Sequence, residues 1–322
     1  DMLPLRARTK LLLAYLACAL LTFAAPADHL IGGIPQTDED VQVIERIGYL
    51  AAYSPQARNP AWVAYRLRGA PAFRTAPRPG QFLDDPSVHG EPRHRDYTHS
   101  GYDRGHLASN AVIGSYFGPA AQRETFYMTN ILPQTPQLNR RGVWRHIEQL
   151  EMGMGAAFQE VWVITGAIDT DRSNRMPSGV SIPEGSFKII VDQQPGSQTL
   201  RVAAFAFPQD PQSPQLSAYA ISVDRIEQLT GLDFFPDLPA SFESVERARP
   251  GTQWLTAAGT GRREAYAAAD AAKAPPRPAS GARYWISSTG KTHREGCRYY
   301  AAGNGAYAGP SGVNCKLCGG AR

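Results

Sequence analysis

Hydrophobic and polar positions change register several times along the 322-residue chain, and each change marks a predicted element. "AWVAYRL" (Ala61–Leu67) mixes aromatic and β-branched residues and predicts a strand. "EVWVITGAI" (Glu160–Ile168) is an apolar run closed by a turn, and "FKIIVD" (Phe187–Asp192) and "LRVAAFAF" (Leu200–Phe207) are two more. Helical spacing takes over in "GVWRHIEQLEMGMGAAFQ" (Gly142–Gln159), where Val143, Ile147, Leu150 and Met154 fall on one face. "SVDRIEQLTG" predicts a second helix: Ser222 caps it, Val223, Ile226 and Leu229 line it, and Gly231 ends it. No repeat at a solenoid or propeller period is visible.

The first residues read differently. Arg6, Arg8 and Lys10 precede the apolar run Leu11–Phe23, and Ala25-Pro26-Ala27 follows. A basic start, a short apolar stretch and an A-x-A site have the form of a secretory signal peptide over residues 1–27. The run is shorter than the roughly 20 residues of a membrane-crossing helix; a buried or anchoring helix is the alternative. No later segment is apolar enough to span a bilayer, so no stable membrane association is expected after cleavage. The expected location is secreted or periplasmic. A lipoprotein modified at Cys18 ranks second, because Tyr15 fits poorly where such a signal uses an aliphatic residue.

Composition then sets the domains. At 43% hydrophobic and 19% charged the chain can bury an ordinary globular core. The formal net charge of +4 becomes +2 once residues 1–27 take away three basic residues and Asp1, and neither value identifies a partner. Residues 28–250 are the mixed α and β domain. Residues 251–282 are rich in Ala, Pro and Gly and read as a linker, with one helical turn at Arg263–Ala272. Residues 283–322 form a small module that holds Cys297, Cys315 and Cys318.

The candidate chemistry starts at "YDRGHLASN" (Tyr102–Asn110). His106 has the side chain best suited to activate water near neutral pH, although a lone histidine is more often structural. Asp103 either orients this region or caps a turn. Downstream, "TFYMTNILPQTPQLNRRGVWRHIEQLE" (Thr125–Glu151) places Asn139 just before the predicted helix and Glu148 within it. A neutral amide oxygen with waters makes a hard-oxygen site suited to magnesium.

Together these segments resemble the DNA/RNA non-specific endonucleases of the ββα-metal class. "DRGHLA" (Asp103–Ala108), "TNILPQTPQLN" (Thr129–Asn139) and Trp144 with Glu148 carry the resemblance, which extends over about Gly48 to Pro239. It implies an α+β fold, a ββα-metal core with a central, mainly antiparallel sheet flanked by helices. It implies His106 as general base, Asn139 as the one direct protein ligand of Mg2+, and Glu148 as the holder of metal-bound waters. Asn130 matches a position that supports the site, and Arg104 is the arginine of the quartet. Arg78 is the candidate for an upstream arginine near the scissile phosphate, with Arg74 as the alternative. The activity implied is hydrolysis of DNA and RNA to 5′-phosphate products, with Mn2+ as a substitute metal and a homodimer as one possible assembly. A binding protein that has lost the chemistry and a phosphodiesterase for small nucleotides are the competing readings. The interval from Asn139 to Glu148 is one residue longer than the family pattern. That residue is expected to bulge out at Arg140–Gly142; in a continuous helix it would swing Glu148 away and leave Glu151 as the replacement.

In the tail, His293-x3-Cys297 and Cys315-x2-Cys318 form two close pairs, which suit a tetrahedral structural zinc. A module this small has little core and gains from such a staple. A Cys315–Cys318 disulfide is the alternative.

Overall fold

The computed structural model describes residues 26–140, 142–193, 199–249, 251–259, 284–287, 291–294, 305–308 and 313–314. Six strands form the central sheet: β1 (Gln42–Glu45), β2 (Leu50–Ser54), β3 (Asn59–Arg68), then β6 (Glu160–Ile168), β7 (Gly185–Gln193) and β8 (Leu200–Pro208), in that spatial order and with every pair antiparallel. The α+β expectation with a mainly antiparallel sheet is met. The segment between β3 and β6 carries β4 (Asp103–His106), α1 (Asn110–Phe117), α2 (Pro119–Glu124), β5 (Ile131–Gln134), α3 (Pro136–Asn139) and α4 (Val143–Phe158). Helices α5 (Val223–Thr230) and α6 (Glu243–Arg247) follow the sheet.

Alternation of side chains across the pleat gives the sheet two buried faces. Val63, Tyr65, Leu67, Val161, Val163, Ile190, Phe205 and Phe207 face α1 and α4. Trp62, Ala64, Trp162, Ile164, Phe187, Ile189 and Val191 face α5 and the chain around Phe234–Phe242. A sheet covered on both sides explains why its strands read as apolar runs instead of clean alternations.

Helix α5 follows its sequence signals: the Ser222 side chain accepts from the Arg225 amide at 3.2 Å, and Gly231 closes the helix at φ 69°. In α4 the core stripe is Val143, Trp144, Ile147, Glu151 and Met154, while Leu150 is only partly buried. An acid therefore occupies a core position that periodicity assigned to a leucine, because Lys188 of the sheet lies beneath it.

Residues 251–259, read from composition as the start of a linker, instead dock on the domain. Leu255 and Ala258 join the core, and Trp254 packs edge-on against Phe158 at 5.1 Å with the Arg201 guanidinium 4.9 Å above its ring. Composition misses this because two apolar anchors in a short turn carry no periodicity. The helical turn expected at 263–272 lies outside the described residues, as do residues 1–25 with Cys18. In the tail, β9 (Tyr284–Ser287), β10 (Lys291–Arg294), β11 (Gly305–Ala308) and β12 (Val313–Asn314) form a sheet ordered β11-β9-β10-β12, with His293 buried in β10. Cys297, Cys315 and Cys318 lie outside the described residues, so the zinc expectation finds no support there. Among the described residues no helix is long and apolar enough to cross a membrane.

The docked turn makes a prediction. Leu255→Ala should lower unfolding free energy by about 2–5 kcal/mol, the usual range for truncating a buried leucine. Urea denaturation checks it, and a change near zero would return residues 251–259 to the linker.

Candidate active site

Two short strands and a helix build the site. β4 pairs antiparallel with β5, His106 opposite Ile131 and Asp103 opposite Gln134. Gly105 has a steric reason: a Cβ there would stand 2.1 Å from the buried Gln134 side chain. His106 ends β4, and Asn130 pins the turn that follows. The Asn130 Oδ1 accepts from the Ala108 amide at 2.8 Å, and its Nδ2 donates to the Ala108 and Thr125 carbonyls at 3.0 and 2.9 Å. Asn130 is fully buried, so it shapes the site from below.

His106 is enclosed by Phe82 and Phe126, with ring centroids 5.2 and 5.1 Å away. Its Nε2 is buried without a hydrogen-bond partner. Burial first, and the charge of Arg78 second, push its pKa down to about 3, so the imidazole is neutral at pH 7. Arg78 lies over Phe126, with Cζ 5.3 Å from the ring centroid, and its charge reaches Glu148 as well. The charge of Arg78 thus acts on both His106 and Glu148. Arg104 has other work: Nε donates to the His94 carbonyl at 3.0 Å, Nη2 donates to Thr98 Oγ1 at 3.1 Å, and the guanidinium covers Tyr97.

Asp103 accepts from Arg140 Nε at 2.7 Å and from Asn139 Nδ2 at 3.1 Å, with a second contact to Arg140 Nη2. It orients the region instead of capping a turn. Because a carboxylate only accepts, the Asn139 nitrogen faces Asp103, and its Oδ1 faces away. Helix α3 begins at Thr135, whose side chain accepts from the Leu138 amide, and ends at Asn139. The chain leaves helical geometry at Gly142, φ −98° and ψ −164°, before α4 begins at Val143. This interruption falls within the interval where the bulge was expected. Gly142 sits against α3: a Cβ would stand 2.5 Å from the Gln137 carbonyl and 3.0 Å from that of Leu138.

Glu148 is half-buried and hydrogen-bonds Ser109 at the start of α1. Burial pushes its carboxyl up to about 7, against the lowering pull of Lys188 and with the repulsion of Glu151 adding to the rise. Glu151 is committed elsewhere, to Lys188 and to the Tyr65 hydroxyl at 2.7 Å, so it does not replace Glu148. The sequence reading missed Lys188; its signal was a lysine interrupting the apolar strand "FKIIVD".

Asn139 Oδ1 and the Glu148 carboxylate are hard oxygens, and among the described residues no group of three or more His, Cys, Asp or Glu side chains could cage a metal. Few protein ligands with room for waters fit Mg2+, which dehydrates reluctantly.

The sequence profile of the DNA/RNA non-specific endonuclease family matches residues 26–241. The chain belongs to that family and is a nuclease. It is 30% identical over 239 residues to the mitochondrial nuclease of Saccharomyces cerevisiae, covering 67% of this chain and 71% of that one. It is 28% identical over 232 residues to the mitochondrial endonuclease G of Homo sapiens (66% and 75%) and 31% identical over 237 residues to a nuclease of Nostoc sp. (67% and 85%). A crystal structure of EndoG with EndoGI superposes at TM-score 0.56 and 24% identity, covering 66% of this nuclease and 92% of that chain, which shows the shared fold. The export expectation is overturned: the relatives include mitochondrial nucleases of yeast, frog, cattle and human. A basic start before a short apolar run is a compositional pattern, and it does not carry a secretory assignment against those relatives.

Two predictions follow from the geometry. Gly142→Ala should cost about 1–3 kcal/mol, as forced overpacking does, and hydrogen exchange should show the loss concentrated at the α3–α4 junction. For Glu148, the folded pKa lies above the unfolded value of 4.5, so the stability it contributes is full below pH 4.5 and is lost as pH rises through about 7. His106 runs the other way, with its contribution full above 6.5 and lost as pH falls through about 3. In metal-free buffer the Tm of wild type minus that of Glu148→Gln should therefore fall from pH 5 to pH 8; a constant difference would contradict the raised pKa.

Proposed function

We propose that this nuclease hydrolyses phosphodiester bonds of both DNA and RNA, with His106 as general base and products bearing 5′-phosphates. The observation that supports the reading is the Phe126 ring, which meets His106 edge-on at 5.1 Å and has the Arg78 guanidinium 5.3 Å from its centroid. His106 takes the proton of the attacking water; its neutral form is the one able to accept it. Arg78 offsets charge that grows on the phosphate oxygens during attack. An incoming phosphodiester would itself offset the charge of Arg78 and make the imidazole more basic than in the free protein.

Asn139 would hold Mg2+ through Oδ1, and Glu148 would order the waters around it. The ion, when bound, supplies positive charge for the leaving oxygen, and Mn2+ could stand in for it. Asp103 keeps Asn139 in the required orientation, and Asn130 keeps His106 at the strand end. Grip by arginines on phosphates predicts tolerance of sequence and sensitivity to salt.

A plasmid-nicking assay with Mg2+ tests the reading. Wild type should nick both supercoiled DNA and structured RNA, EDTA should stop it, and His106→Ala should lower the rate by about 10²–10⁴-fold, the range for removing a general base. His106→Ala cutting at the wild-type rate would remove His106 from that role, and cleavage persisting in EDTA would remove the metal.

A further inference from the structure

Lys188 in β7 and Glu151 in α4 are both fully buried, directly under the half-buried Glu148. The Lys188 ammonium donates to Glu151 Oε1 and stands 3.4 Å from the Tyr65 hydroxyl, which itself donates to Glu151 Oε2 at 2.7 Å. The same ammonium lies 4.7 Å from the centroid of the Trp144 ring. Trp144, Glu148 and Glu151 stand at i, i+4 and i+7 on α4, a single helical stripe. One cation from the sheet therefore serves the whole stripe on which Glu148 sits.

Desolvating two charges is expensive, and an apolar pair of similar volume commonly gives equal stability. Directional contacts gain something that apolar packing does not: they distinguish one rotation of the helix from its neighbours. Helix α4 needs such a reference, because the extended Gly142 separates it from α3, which ends at Asn139. Val143, Ile147 and Met154 pack against the sheet without hydrogen-bonding to it.

We propose that Lys188, Glu151 and Tyr65 form a positioning cluster that fixes the rotation of α4 about its axis and so aims Glu148 into the site beside Asn139. The inference rests on the role given to Glu148 above and adds three residues that touch neither substrate nor metal.

The test uses the full chain with Lys188→Met and Glu151→Leu combined, so that neither charge is left alone. Circular dichroism and thermal melting should show a folded protein. Calorimetric titration with Mg2+ alone should show affinity weakened by about 10–100-fold, the usual effect of losing a group that orients a metal ligand. Turnover on DNA should fall while KM holds. Wild-type Mg2+ affinity in the folded double variant overturns the proposal, since a pair acting on stability alone would leave affinity unmoved. Tyr65→Phe removes a single hydroxyl at nearly constant volume and should weaken Mg2+ binding in the same direction; unchanged affinity there overturns the proposal even where the double variant fails to fold. Glu148→Gln separates the two levels. Weakened Mg2+ binding in that variant with none in the cluster variants rejects the cluster alone, whereas unchanged binding in Glu148→Gln rejects the role of Glu148 and the cluster with it.

Discussion

The Asp103 carboxylate is the joint on which the site depends. It accepts hydrogen bonds from Asn139 and Arg140, and it belongs to the same short strand that ends in His106. Strand β4 thereby holds the proposed base at one end and, at the other, sets the orientation of the amide proposed to bind metal. The carboxylate is 9% exposed, so leaving it without donors would carry the cost of a buried unpaired charge. Asn139 and Arg140 are the donors that prevent this, which couples the geometry of the site to the stability of the fold.

Burial acts on the two titrating groups in opposite senses. It lowers the His106 pKa and raises that of Glu148, and both shifts favour the uncharged form. Arg78 opposes a second positive charge at His106 and would steady a negative one at Glu148. The rings of Phe82 and Phe126 enclose the imidazole and add to its burial.

Much of the architecture was legible before any coordinates. The strands at residues 61–67, 160–168, 187–192 and 200–207 and both helices were found where apolar spacing placed them, because buried strands and amphipathic helices leave strong local patterns. What escaped was the partnering of polar groups. Leu150 read as core, yet Glu151 is the more buried of the two because Lys188 arrives from a strand that lies 37 residues further along the chain. Arg104 was assigned to the site on its place in the quartet, but its guanidinium is held by the turn at residues 94–98. Residues 251–259 looked like linker because their two anchors meet the core through tertiary contacts alone.

By itself, the sequence determined the elements, the family through "DRGH" and the segment ending at Asn139, and the need for a break between Asn139 and Glu148. These are properties of local spacing and side-chain type, which the linear order records directly. Only the tertiary structure showed that the helix is interrupted before Val143, that the charge of Arg78 reaches His106, and which groups Asp103, Asn130 and Lys188 bond. Each of those answers depends on groups brought together from distant positions, and on how far burial strips them of water. Spacing along the chain contains neither quantity.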